Sequence, residues 1–129
     1  ERHKGKGIGK VAAIDARGFI FGSAVAYRLK AGFVPIRKKG KLPYKTHEAS
    51  YDLEYGSSVI AVHTDAFERN EKVLLIDDLL ATGGTAAAAA QLIGTAGGSV
   101  VEIDFLVELA FLKGRAKLGG HPVYAAVVF

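Results

Sequence analysis

Apolar positions along the chain fall into short runs separated by longer mixed stretches. Val73-Leu74-Leu75-Ile76 is wholly apolar, the pattern of a strand buried on both faces of a parallel sheet. Lys10–Ile14, Phe33–Ile36, Val100–Val107 and Val123–Phe129 read as further strands, with Pro35 tolerable near an end or an edge. Between them, Phe19 to Leu29 is expected to be helical with Gly32 as its stop, and Ala86 to Ile93 has strong helix-forming composition. Thr85 or Thr82 would cap that second helix and Gly97-Gly98 would close it. Phe111 to Leu118 is short and partly helical, ended by Gly119-Gly120.

One region breaks this rhythm. Tyr51, Leu53 and Tyr55 alternate with Asp52 and Glu54, and Gly56-Ser57 turns into Ser58–Val62, which predicts a hairpin standing away from the parallel sheet. The preceding stretch from Lys39 to Ser50 has no apolar periodicity and is expected to be a mobile loop; Asp65 to Lys72 reads as a polar connector. The fold expected is therefore α/β, a parallel sheet flanked by helices with an inserted β-hairpin lid, in a single domain spanning 1–129.

This layout puts chemistry at one edge. Asp77 and Asp78 follow the Val73–Ile76 run directly and so fall at the carboxyl end of a strand, where open α/β sheets bind ligands. Thr82-Gly83-Gly84-Thr85 comes next, a turn whose backbone N–H groups can converge on an anion at the start of a helix. Adjacent carboxylates suit neither a polyphosphate nor a dry interior, but they suit two neighbouring ribose hydroxyls and a hydrated Mg²⁺. The ligand suggested is a ribose monophosphate with a metal nearby. A P-loop is excluded because G-x-x-x-x-G-K-[ST] is absent, and no G-x-G-x-x-G follows a strand. Arg17 lies at the same edge, after the first strand, where a guanidinium can hold a pair of pyrophosphate oxygens. Arg37-Lys38-Lys39-Gly40-Lys41 forms a basic loop after the second strand, and Leu109, after the Val100–Val107 strand, could pack on a flat base.

Composition narrows the picture further. With 129 residues, half of them hydrophobic and 23% charged, the chain can bury an ordinary core. Glu102, Asp104 and Glu108 interrupt the longest apolar stretch, so no run approaches membrane-spanning length, and no secretory signal pattern opens the chain. Cysteine is absent, which removes disulfides, thiolate metal sites and cysteine nucleophiles. The four histidines show no metal-ligand spacing and are read as structural or exposed. The net charge of +4 comes with basic clusters at Arg2–Lys10 and Arg37–Lys45 but without aromatic-interleaved reader motifs, so anionic small substrates are expected rather than nucleic acid. Methionine is absent and the chain opens on Glu1, so a preceding N-terminal segment is expected.

The stretch from Val73 to Ala90 resembles the phosphoribosyl pyrophosphate signature of the type I phosphoribosyltransferases: apolar residues, two acids, apolar residues, then Thr-Gly-Gly-Thr. Asp15-Ala16-Arg17-Gly18-Phe19 is similar to the pyrophosphate loop of the adenine-specific branch, and Ser50-Tyr51-Asp52-Leu53-Glu54-Tyr55-Gly56 to its lid motif. The resemblance implies transfer of the phosphoribosyl group of phosphoribosyl pyrophosphate to adenine, giving AMP and pyrophosphate. Alternatives are transfer to another base such as xanthine or orotate, or a purine-sensing regulator that binds phosphoribosyl pyrophosphate without catalysis. It further implies that Glu54 and Arg17 are catalytic. Asp77, Asp78, Ala81, Thr82, Gly83, Gly84, Thr85, Arg37, Lys38 and Tyr55 would bind substrate, and Asp77 and Asp78 would hold Mg²⁺ through water. The same resemblance implies a cytoplasmic homodimer. The family's base-clamping N-terminal hood has no counterpart in this sequence.

Overall fold

The computed structural model describes residues 1–53 and 55–129. Its elements are β1 (Lys10–Ile14), α1 (Gly18–Leu29), β2 (Gly32–Lys38), β3 (Thr46–Asp52), β4 (Ser57–His63), β5 (Lys72–Leu80), α2 (Gly84–Thr95), β6 (Ser99–Glu108), two 3₁₀ turns (Ala110–Leu112 and Gly114–Leu118) and β7 (Val123–Val128). They form one seven-stranded sheet in the order β3-β4-β2-β1-β5-β6-β7. Strands β2, β1, β5, β6 and β7 run parallel, whereas β3 and β4 are antiparallel additions, so the sheet is mixed rather than wholly parallel.

Side-chain alternation in the two central strands explains their apolar composition. Val11 of β1 and Leu74 and Ile76 of β5 pack with Ala26 of α1 on one face. Ala12, Ile14, Val73 and Leu75 join the larger core on the other face, where α2 contributes Ala86, Ala88, Ala89, Ala90, Leu92 and Ile93. A polar residue at any of these strand positions would be buried without a partner. The alanines let α2 lie close to the sheet. Because β1 leads through α1 to β2 on one side while β5 leads through α2 to β6 on the other, the strand order reverses between β1 and β5. Their carboxyl ends therefore open a crevice.

Several local expectations change. Helix α1 stops at Lys30, which takes a left-handed conformation with φ 56° and donates its N–H back to the last turn; Gly32 instead begins β2. Pro35 sits in an interior strand without breaking the ladder. Ile36 turns its carbonyl to Asp15 of β1, so Pro35 faces the other way, and pairing with β4 begins only at Arg37. The hairpin does not stand away from the sheet: β4 pairs with β2 through Arg37↔Ala61 and Lys38↔Ile60, and Ile60, Ala61 and Val62 are buried. The expected mobile stretch up to Ser50 already contains strand from Thr46, with Ala49 and Tyr51 resting on the main core. The polar connector is pinned by Phe67, buried against Gly98 and the core.

Away from the crevice, Glu102 and Asp104 lie two apart on β6 and so share a face. His3 is buried against them, with Nε2 2.7 Å from Asp104 Oδ2 and 3.1 Å from Glu102 Oε2. Arg2 pairs with Glu102 at 2.8 Å and lies over the Tyr124 ring. Burial and the neighbouring Glu102 push Asp104 up to about 8, while burial lowers His3. His3, which has no metal-ligand spacing in the sequence, is thus brought together with Glu102 and Asp104 by the fold.

Candidate active site

The crevice between the ends of β1, β2 and β5 holds two adjoining compartments, of about 420 and 170 Å³. Arg17, Asp77, Asp78 and Thr85 line both, so they form one continuous cleft. The larger compartment reaches Arg37, Lys38 and Tyr51; the smaller is walled by residues 79–84 and Phe105.

The acids come from β5, which runs past the apolar run to Leu80 because Leu79 and Leu80 still pair with Val107 and Glu108 of β6. Asp77 and Asp78 are therefore within the strand rather than after it. Asp77 Oδ1 accepts the Asp78 N–H at 2.8 Å. Burial pushes the Asp77 carboxyl up to about 7, with Asp78 adding to the rise, while the Asp78 N–H and Arg17 oppose it. The first turn of α1 comes so near that a Cβ on Gly18 would lie 3.0 Å from Asp77 Oδ1. Glycine is what lets helix and acid approach.

Arg17 precedes α1 and places Nε 2.6 Å from Asp78 Oδ2, with its side chain 75% exposed. Arg37, at the end of β2, donates Nε to Asp15 Oδ2 at 3.0 Å and Nη1 to the Lys41 carbonyl at 3.2 Å. Each guanidinium thus reaches the cleft beside a carboxylate partner. At the other end, Gly83 takes φ 90° and starts α2 without any side-chain cap. Neither Thr82 nor Thr85 caps the helix, because the glycine turn occupies the capping position. The first-turn N–H groups consequently have no intrahelical acceptor and point to an anion with the helix dipole behind them.

Of the residues singled out from sequence, Arg17, Arg37, Lys38, Asp77, Asp78, Ala81, Thr82, Gly83, Gly84 and Thr85 all line this cleft. Tyr55 does not: it is 88% exposed. Leu109 is half-buried with its N–H on the Leu80 carbonyl, and it lies outside the residues lining either compartment. Glu54 falls outside the described residues. Sequence reasoning missed Asp15, Tyr51, Ile60 and Phe105 as cleft residues. Asp15 directly precedes Ala16-Arg17 and was open to the same edge argument; Tyr51, Ile60 and Phe105 lacked a local signal because strand pairing brings them in.

Residues 2–118 match the family model described as phosphoribosyl transferase domain. The chain is 53% identical over 126 residues to an adenine phosphoribosyltransferase of Clostridium kluyveri, covering 98% of this chain and 73% of that protein. The solved adenine phosphoribosyltransferase of Thermoanaerobacter pseudethanolicus superposes with a TM-score of 0.94 at 48% identity, covering 98% of this chain and 74% of that one. The Saccharomyces cerevisiae enzyme, solved with adenine and an imino-altritol bisphosphate, gives 0.89 at 42% identity, over 92% of this chain and 66% of that one. With the family model spanning most of its length and relatives about half identical throughout, this chain belongs to the phosphoribosyltransferase family, among its adenine phosphoribosyltransferases.

Proposed function

We propose that this chain transfers the phosphoribosyl group of phosphoribosyl pyrophosphate to adenine, forming AMP and pyrophosphate. The observation that carries the reading is a single cleft in which the uncapped first turn of α2 and the Asp77–Asp78 pair adjoin Arg17, Arg37 and Lys38. Those are the parts needed for a 5′-phosphate, two ribose hydroxyls and a leaving pyrophosphate, in that order along the cleft. The adenine and bisphosphate named with the yeast structure agree with such a pair of subsites.

In the reaction, a ring nitrogen of adenine attacks the anomeric carbon as its bond to the pyrophosphate oxygen breaks, and the bonding pair leaves on pyrophosphate. The transition state is loose, so most of the developing charge lies on the leaving group. Arg17 and Lys38 stabilise it there, and Arg37 supplies a third positive group. Residues 81–85 fix the 5′-phosphate, and Asp77 and Asp78 orient the ribose by accepting from its hydroxyls. The ring proton is assigned to Glu54 on the sequence resemblance of its segment alone.

Two adjacent carboxylates offering hard oxygen donors at an open cleft fit Mg²⁺, which Asp77 and Asp78 would hold through water and which would add positive charge beside the pyrophosphate oxygens. A homodimer in the cytoplasm is the proposed setting; among the described residues, no helix is long and apolar enough to cross a membrane. The deciding experiment incubates the protein with phosphoribosyl pyrophosphate, Mg²⁺ and each of adenine, hypoxanthine, guanine, xanthine and orotate, and separates the products. AMP from adenine is expected. Product from another base instead would reassign the acceptor, and no nucleotide from any base would sink the reading.

A further inference from the structure

The phosphate loop leans on a second segment. Gly83, at φ 90°, lies so close to Gly114 that a Cβ on it would overlap the Gly114 carbonyl. The contact is mutual, since a Cβ on Gly114 would sit 2.5 Å from the Ala81 carbonyl oxygen and 2.8 Å from Leu80 Cδ1. Two glycines thus allow two backbones to touch along residues 81–83, on the loop that presents N–H groups to the cleft.

Gly114 is itself held from both sides. It is buried and opens a 3₁₀ turn whose last residue, Leu118, is 2% exposed in the main core. The next residue, Arg115, donates Nε and Nη2 to Glu108 at 2.7 to 3.0 Å and Nη1 to the Val123 carbonyl at 3.0 Å. Glu108 is 5% exposed at the carboxyl end of β6. Its carboxyl lies below the ordinary range, chiefly because the Arg115 guanidinium bonds it. Next to it, the Leu109 N–H bonds the Leu80 carbonyl, one residue before the phosphate loop. Arg115 is not among the residues lining the cleft, and its side chain is 48% exposed.

We propose that the Glu108–Arg115 pair is a positioning device for the phosphate loop: it fixes Gly114, and through that backbone contact it fixes the N–H groups at residues 82–85 that bind the 5′-phosphate. The inference rests on the phosphoribosyl reading of the cleft. A bidentate fork suits the task because it sets direction as well as distance, which a lysine cannot do. The pair therefore acts on the half of the substrate that carries the 5′-phosphate and not on pyrophosphate, whose candidate ligands come from β1 and β2.

The test compares wild type with Arg115→Ala, Arg115→Lys and Glu108→Gln for turnover, KM of each substrate, inhibition by AMP and by pyrophosphate, and thermal melting. Loosening the loop by about one net hydrogen bond corresponds to roughly a tenfold change in binding. For Arg115→Ala, KM for phosphoribosyl pyrophosphate and the AMP inhibition constant should each rise about tenfold, while the pyrophosphate constant and KM for adenine stay within about twofold. Lysine should restore less than half of the loss on a logarithmic scale. The proposal is overturned if melting falls while all four constants hold, or if AMP and pyrophosphate inhibition weaken together. Should the alanine variant not fold, the same split is read from Arg115→Lys and Glu108→Gln. Absence of AMP formation by the wild type would instead overturn the reading beneath the proposal.

Discussion

Replacing Arg17 with alanine separates what the cleft does for folding from what it does for chemistry. The Arg17–Asp78 contact is short, 2.6 Å, but the arginine side chain is 75% exposed and the aspartate 20%. Solvent screening limits an ion pair of that kind to about 0–1 kcal/mol of stability. In a domain of this size such a loss lowers the melting temperature by no more than about 5 °C. The catalytic side is larger, because a preorganised charge facing a leaving pyrophosphate is worth about 2.7–4 kcal/mol, or a fall of roughly 10²–10³ in turnover. Arg17 also opposes the rise in the Asp77 pKa, so its removal leaves Asp77 holding its proton more firmly. Arg17→Lys keeps a positive charge near Asp78 without the planar fork and should fall between the two. Initial rates of pyrophosphate release at saturating adenine, with melting curves on the same preparations, decide the matter. Turnover of Arg17→Ala within about fivefold of wild type, against the hundredfold expected, would refute the role. So would a loss of activity that merely follows a loss of fold.

Other outcomes follow from the same geometry. Gly83→Ala should destabilise the chain by about 2–3 kcal/mol, from positive φ plus the overlap with Gly114, whereas Gly84→Ala, with Asp52 O its nearest contact at 4.0 Å, should change stability by less than about 0.5 kcal/mol; urea unfolding of both compares them. Chelation of divalent cations should stop transfer and added Mg²⁺ should restore it, as followed by AMP formation; activity that survives thorough chelation would remove the metal from the scheme. Asp104, raised from 3.8 to about 8, keeps its proton in the folded chain and loses it when unfolded. Its contribution is present at low pH and lost as pH rises from about 4 to about 8, partly offset by the opposite shift of Glu102. Denaturant midpoints across that range should fall for wild type. With Asp104→Asn the fall should become shallower without vanishing, because Asp77, raised to about 7, contributes a fall of the same sign, while His3, whose lowered pKa adds stability only as pH rises through its range, opposes it; an unchanged fall would refute the assignment.

Much of the scaffold was legible because burial on two faces leaves a local trace. Val73–Ile76 carries the pattern of a doubly buried strand, and the fold places it in β5 with Asp77 and Asp78 at that strand's carboxyl end and Thr-Gly-Gly-Thr just beyond. Legibility failed where structure depends on a neighbour. Thr46, His47 and Glu48 form an edge strand because they pair with His63, Val62 and Ala61, not because their own pattern says so. Asp77 and Asp78 remain in β5 because β6 continues alongside. The missed Thr cap has a different origin: a glycine with positive φ occupies the cap, and the first-turn N–H groups are left open in the cleft.

The charge arrangement of the cleft was least legible, and it bears most directly on mechanism. Sequence reasoning gave Arg17 and Arg37 to pyrophosphate and Asp78 to ribose, but the fold pairs Arg17 with Asp78 and Arg37 with Asp15. Such pairing keeps like charges from gathering without compensation at the end of a buried sheet, where they would oppose folding. It also holds each guanidinium near the cleft before substrate arrives, so less side-chain freedom remains to be lost on binding. On the proposed reading, an arginine exchanges a carboxylate for a phosphate oxygen, and the freed carboxylate turns to a ribose hydroxyl or to the water around the cation. The exchange of partners leaves no charge stranded. That is why the same acids and bases can serve both the resting fold and the reaction.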